Sequence, residues 1–270
     1  MLWRVLLVAG AACALGRAQP EEISADRPDF TESTDTVGRG TVQFEGGWLW
    51  TSHSLQEGLS ETMTVPQGLL RIGLARRAEL RLASDGLVRE SAYRNGLWEH
   101  NLGGADLAIG AKIVLSEEHR FLPALSVIGA LSLPVGSDRF SSGGRDPFVK
   151  LCWDKALPEG FDAGGNVNVR LYTFGPGTSV EGAVSLSVGH RLWGGLHGFW
   201  EVYRISPIAG DEAAHAIADT GLSRLLGKNA EIDVAVGHTL NARTPSWFVG
   251  VGFAMRRNFR RAAGLKLSAD

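Results

Sequence analysis

Apolar and polar residues alternate with a period of two in segment after segment of this chain. The apolar partners of that alternation include no Asp, Glu, Lys or Arg. In Thr41-Val42-Gln43-Phe44-Glu45-Gly46-Gly47-Trp48 the period places Val42, Phe44 and Trp48 on one face of a strand and Gln43 and Glu45 on the other. The same pattern defines about twelve strand candidates: Thr41–Thr51, Thr64–Gly73, Ala78–Ser84, Gly104–Val114, Ala124–Leu133, Asp146–Trp153, Gly164–Leu171, Ser179–Arg191, Leu196–Tyr203, Ala214–Ser223, Ala230–Gly237 and Ser246–Met255. Ala209–Ala218 is the nearest helical rival by propensity; no segment shows a convincing helical period. The chain reads as all-β.

One wholly apolar face and one polar face fit two architectures. In a soluble sandwich the apolar face is the core; in an outer-membrane barrel it meets lipid and the polar face lines the lumen. The polar face carries Glu45, Arg71, Glu79, Arg81, Asp106, Lys112, Lys150, Arg170, Glu181, Glu201, Asp219, Glu231 and Asp233. Between them sit small fillers such as Gly47, Ala108, Gly110, Ser185, Ser187, Gly250 and Gly252. Small residues suit a crowded lumen better than a solvated surface, which also explains why many of the 35 glycines fall inside strands, where glycine normally weakens pairing. Connections tend to alternate in length: Leu74–Arg77, Leu192–Gly195 and Arg224–Asn229 are short, whereas Ser52–Met63, Asp85–Gly103, Pro134–Arg145 and Arg204–Ala213 are longer and mostly polar. Leu115–Pro123, Asp154–Ala163 and Tyr172–Thr178 break the pattern. Short periplasmic turns opposite long outer loops mark a barrel. The reading taken is an antiparallel up-and-down transmembrane β-barrel of about twelve strands, with Thr41–Thr51 closing against Ser246–Met255. The sandwich, as a secreted soluble protein, is kept as an alternative.

The N-terminus supplies the compartment. Met1–Arg4 is a short basic region, Val5–Leu15 an apolar one and Gly16-Arg17-Ala18 a small-x-small cleavage site, so residues 1–18 read as an export signal. Residues 19–39 form a periplasmic segment, 40–256 the barrel and 257–270 a basic tail. After cleavage Cys152 is the one remaining cysteine, so no intrachain disulfide forms. The formal net charge of −2, with basic residues scattered, gives no argument for nucleic acid.

Enzyme chemistry finds little support. The seven histidines form no recognised metal spacing, Ser, His and Asp sit in no nucleophile elbow, and Gly175-Pro176-Gly177 and Ser141–Arg145 precede no helix, so they read as turns rather than phosphate cradles. No catalytic residue, metal or cofactor is assigned. The expected partners are outer-membrane lipid and a small solute. The lumen candidates are Glu45, Arg71, Glu79, Arg81, Asp106, Lys112, Lys150, Arg170, Glu201, Asp219 and Asp233. Their charges either pair structurally or select what passes. In the irregular stretch before the first strand, Asp26, Arg27, Asp29 and Glu32 are expected to fold into the periplasmic mouth as a plug.

At Asp26-Arg27-Pro28-Asp29-Phe30-Thr31-Glu32-Ser33 the chain resembles a family of Gram-negative outer-membrane barrels labelled "transporter" or phenol-degradation meta-pathway protein. Gly40–Gly47, Leu131–Asp138 and Trp247–Phe253 extend the resemblance over nearly all of the mature chain. It implies an outer-membrane barrel with a role in passive uptake of small hydrophobic or aromatic compounds, and it transfers no catalytic residues. A non-conducting barrel that binds at its surface, through loops such as Asp85–Gly103, is the alternative in a different class.

Overall fold

The computed structural model describes residues 22–55, 58–174, 177–207, 214–240 and 246–259. The segment read as an export signal lies outside them, as do 209–213 of the helical rival and the tail from 260 onward. The elements in chain order are β1 (Thr41–Leu55), β2 (Gly58–Val65), β3 (Gly68–Ala75), β4 (Ala78–Ser84), β5 (Leu87–Arg94), β6 (Leu97–Gly104), β7 (Leu107–Ser116), β8 (Ala124–Leu133), β9 (Asp146–Ala156), β10 (Phe161–Phe174), β11 (Gly177–Arg191), β12 (Leu196–Pro207), β13 (His215–Leu225), β14 (Ala230–Thr239) and β15 (Ser246–Asn258). A single 3₁₀ turn at Pro158–Gly160 is the helical element among the described residues. Where the helical rival enters the described chain, from His215, it is β13.

All strands belong to one antiparallel sheet, and β15 pairs with β1 from Thr41↔Asn258 to His53↔Ser246, so the sheet closes on itself. That closure overturns the sandwich: there is one curved layer and, among the described residues, no second sheet to pack on. β3 and β4 pair Gly68↔Ser84 while β2 and β5 pair Val65↔Leu87, the same register on both sides of the breaks. The same holds for Ala78↔Ile113 and Leu87↔Gly104. Thus β2 with β3, β4 with β5, and β6 with β7 are each one long strand, and the barrel has twelve. Pro66, which has no backbone N–H for the ladder, interrupts the first of these.

Two stretches read as loops are corrected by this. Most of Asp85–Gly103 and of Ser52–Met63 is strand, rising beyond β8 as a hairpin extension. Asn95 and Gly96, with φ of 50° and 81°, make its two-residue tip. The barrel also continues past 256, since Arg257 pairs with Val42 and Asn258 with Thr41.

The two faces segregate as the alternation requires. Ile109, Ile113, Val149, Leu151, Val184, Val202, Val234 and Val251 are exposed on the outside. The largest fully buried side chains are led by Arg71 and Lys112 and include Glu45, Glu79 and Glu201. The molecule is inside-out, as a barrel in hydrocarbon must be. Val234→Arg should cost about 2–4 kcal/mol of unfolding free energy if that residue sits near the bilayer midplane. Urea unfolding in lipid vesicles measures this, and the same change in detergent serves as the control.

Candidate functional site

The barrel has a turn end, with connections such as Leu192–Gly195, and a hairpin end. Residues 22–40 enter and leave by the turn end. Ile23 N–H donates to the Lys228 carbonyl (2.9 Å), and Gly40 N–H to the Gly73 carbonyl (3.0 Å). Between these anchors the segment dips inside, burying Asp26, Thr31, Thr34 and Val37.

A chain without helix or sheet pairing must still satisfy its backbone polar groups once buried. Carboxylates of the wall accept its amides: Asp26 N–H donates to Glu45 (2.9 Å), Phe30 and Thr31 N–H to Glu201 (2.7 and 2.8 Å), Val37 N–H to Glu79 (2.8 Å) and Thr34 N–H to Asp154. Cations and one amide donate to its carbonyls: Arg71 and Gln43 reach Ser24 (3.1 and 2.9 Å), Arg71 reaches Asp35 (2.7 Å) and Lys112 reaches Ser33 (2.8 Å). The lumen carries both signs of charge because a peptide backbone presents both donors and acceptors.

Side chains add a second layer. The Asp26 carboxylate meets Arg81 at 2.6 Å, Lys112 at 2.9 Å and Arg71 at 3.4 Å, and accepts from the Ser33 hydroxyl at 2.8 Å. Glu32 pairs with Arg81 and Lys150. Arg27 reaches the stretch of wall around β1, where its guanidinium meets Asp233 of β14 at 3.3 Å and donates to the Gln67 side chain at 3.1 Å. The guanidinium lies in a slot floored by Gly47 and Gly252, which face each other across β1 and β15. A Cβ on Gly47 would come within 2.5 Å of it. Gly73 likewise lets the Gly38 carbonyl approach where any side chain would overlap it.

Of the residues singled out in the sequence, Glu45, Arg71, Glu79, Arg81, Lys112, Lys150, Glu201 and Asp233 therefore all contact the segment that contains Asp26, Arg27 and Glu32. Asp219 lies directly opposite Glu201 in the β12–β13 register. Two others sit apart. Asp106 accepts the Gly136 and Ser142 amides (3.0 Å each), tying down the 134–145 connection. Arg170 pairs with Glu181 at 2.9 Å and is half exposed. Sequence reasoning put Gln43 on the polar face but left it, Gln67 and Asp154 out of the lumen candidates, although Gln43 and Asp154 share the strand parity of Glu45 and Lys150. It also passed over Phe30, whose ring stacks on Tyr203 at 4.2 Å and 4°. The Lys150 ammonium lies 5.8 Å from the Phe30 ring and 6.0 Å from the Phe148 ring. On the turn side of the segment the lumen is not filled: a cavity of about 930 Å³ remains, lined among others by Arg76, Lys155, Asp162 and His197. Among the described residues no group of three or more His, Cys, Asp and Glu is placed to hold a metal ion.

Three carboxyls of the segment, Asp26, Asp29 and Glu32, are pushed in opposite directions. Burial raises all three, but Arg71, Lys112 and Arg81 outweigh it and hold Asp26 well below the usual carboxylate range. Arg81 and Lys150 likewise hold Glu32 down at about 2. At Asp29 burial is reinforced by Glu201, Asp219 and Asp26, and the group stands well above its ordinary value. The lowered pair favours the seated segment above the ordinary carboxylate range, and that contribution is lost as pH falls toward about 2. The raised group works the other way: the seated state holds an extra proton, and rising pH penalises it until Asp29 ionises. Protease protection of the segment should therefore fall on both sides of an optimum, and Asp29→Asn should abolish only the loss on raising pH.

A family model described as "Putative MetA-pathway of phenol degradation" matches residues 25–256. No curated protein matches the chain in sequence. Among solved structures, an outer membrane channel from Pseudomonas putida F1 superposes with a TM-score of 0.64 at 13% identity, covering 83% of this chain and 98% of that one. The translocator domain of the autotransporter NalP from Neisseria meningitidis gives 0.54 at 11% identity, covering 82% and 89%. The transport unit of the autotransporter AIDA-I from Escherichia coli gives 0.51 at 10%, covering 88% and 99%. At these identities the likeness speaks for the fold, an outer-membrane barrel. The match over residues 25–256 goes further, and by it the chain belongs to the family described as "Putative MetA-pathway of phenol degradation".

Proposed function

We propose that this outer-membrane barrel is a passive channel for small hydrophobic or aromatic compounds, closed at rest by its own residues 22–40 acting as a plug. The turn end faces the periplasm, and the export signal is residues 1–18. The observation that carries the reading is the segment itself. It lies within the lumen and is held there by ion pairs to the wall, so a solute that crosses must pass it. The stacked Phe30 and Tyr203 rings beside Lys150 and Phe148 support an aromatic solute, since flat rings and a cation over them favour such a molecule. The channel title of the Pseudomonas putida structure and the phenol-degradation description of the family support the same reading.

Deleting Ala25–Ser33 should raise single-channel conductance several-fold in planar bilayers and lower thermal stability. Unchanged conductance and stability would defeat the plug. A second reading, a surface-binding barrel, draws on the hairpin extension, where Leu97, Trp98 and Leu102 are exposed. It would prevail if the deletion variant folded and conducted nothing while the extension bound a ligand.

A further inference from the structure

The lumen wall is divided by charge. Arg71, Arg81, Lys112 and Lys150 project from β3, β4, β7 and β9, and Glu201, Asp219, Glu231 and Asp233 from β12, β13 and β14. Two adjacent residues of the inserted segment bridge the halves. Asp26 reaches the basic side at 2.6–3.4 Å from three cations, and the Arg27 guanidinium reaches Asp233 on the acidic side at 3.3 Å. The two sides are not equally satisfied. The basic side holds Glu45 and Glu79 of its own, so with Asp26 and Glu32 each of its four cations has a carboxylate partner, and Asp154 is a further acid there. On the acidic side Arg27 is the ion-pair partner among the described residues. The segment adds a further acid there, Asp29, and Asp219, buried opposite Glu201, keeps one oxygen without a hydrogen-bond partner.

We propose that the space filled by the Asp26 and Arg27 side chains is a binding site for small zwitterionic solutes, which carry a carboxylate at one end and an ammonium or guanidinium group at the other. The segment occupies this site in the solute's place. Fixed charges of opposite sign across a narrow passage orient a dipole. A simple anion gains from one side and is repelled by the other, and a simple cation fares the same in reverse. The glycine slot of Gly47 and Gly252 gives a planar cationic end room against the wall. The inference rests on the seated segment of the proposed plug rather than on its hydrophobic solute, and it assigns a second, charged class of ligand to the space that Asp26 and Arg27 fill.

The test is chemical rescue of purified D26A/R27A barrel, followed by thermal unfolding. The variant should melt below the wild type, and 4-guanidinobutyrate should restore several degrees. It should bind at least about tenfold more tightly than butyrate or guanidinium alone, while the wild type, whose site is filled, should not shift. Equal rescue by butyrate or guanidinium, or no rescue by any solute, overturns the site. If D26A/R27A does not assemble, D26N/R27Q, which keeps both side-chain volumes, is titrated in the same way and the same ranking decides. Conductance recorded in parallel separates the two ideas. The ranking without conduction supports the site and defeats the channel, and conduction without the ranking defeats the site alone.

Discussion

Asp26→Asn should release the N-terminal segment from the lumen while leaving the barrel closed. The carboxylate is the shared counter-ion of Arg71, Arg81 and Lys112, two of them fully buried. An amide of the same shape leaves those cations facing one another with Glu45, Glu79 and Glu32 to balance them. Removing one partner of a buried ion pair costs about 3–5 kcal/mol, most of it the penalty of the uncompensated charge. That exceeds what the surviving contacts, at about 1 kcal/mol for each ordinary hydrogen bond, restore individually. A glutamate-specific endoproteinase should cut the variant after Glu32 under conditions that leave the wild type intact, and conductance should rise. Ser33→Ala removes one hydroxyl that donates to the same carboxylate, at 2.8 Å. Its effect should be several-fold smaller. Equal protection of Asp26→Asn and wild type would show that the charge does not hold the segment.

Gly252→Val attacks the other anchor sterically. Its Cβ would overlap the Arg27 guanidinium, so the arginine must leave the slot and Asp233 loses its partner. Overpacking by itself costs about 1–3 kcal/mol, and the stranded carboxylate adds to it. Gly250→Val, two residues earlier on the same strand face, is the control. A Cβ there meets Leu49 at 3.5 Å and Trp48 at 3.7 Å, which is ordinary contact. A loss of protease protection in Gly252→Val that Gly250→Val does not share assigns the effect to Arg27. Equal losses would assign it to the β1–β15 ladder.

Much of this was legible before the fold was known, for a physical reason. Lipid tolerates no charge, so Ile109, Val149 or Val234 can be sorted from Lys112, Lys150 or Asp233 by parity alone. The hairpin extension was missed because Asp85, Gly86 and the polar run around Arg94 look like loop composition. Yet Asn95-Gly96, the tightest hairpin signal in the chain, stands at its centre. The polar face also identified the residues that meet the inserted segment without revealing how they meet it. Residues 22–40 have no periodicity, so nothing in their spacing says that Glu201 accepts the amides of Phe30 and Thr31, or that Arg71 donates to carbonyls of Ser24 and Asp35. Those pairings depend on where an irregular backbone passes a regular wall, which only three dimensions determine.

The contacts that seat the segment join the beginning of the chain to its far end: Phe30 meets Glu201 across 171 positions, and Arg27 meets Asp233 across 206. Asp26 finds its cations on β3, β4 and β7, which are made early, whereas the acidic side arrives only with β12 to β14. A barrel arrested before those strands are added can hold the segment by one hand alone. Contacts of such long sequence separation form late. The seated segment is therefore a record of completed assembly, and its protection from proteolysis requires both groups of strands to be in place.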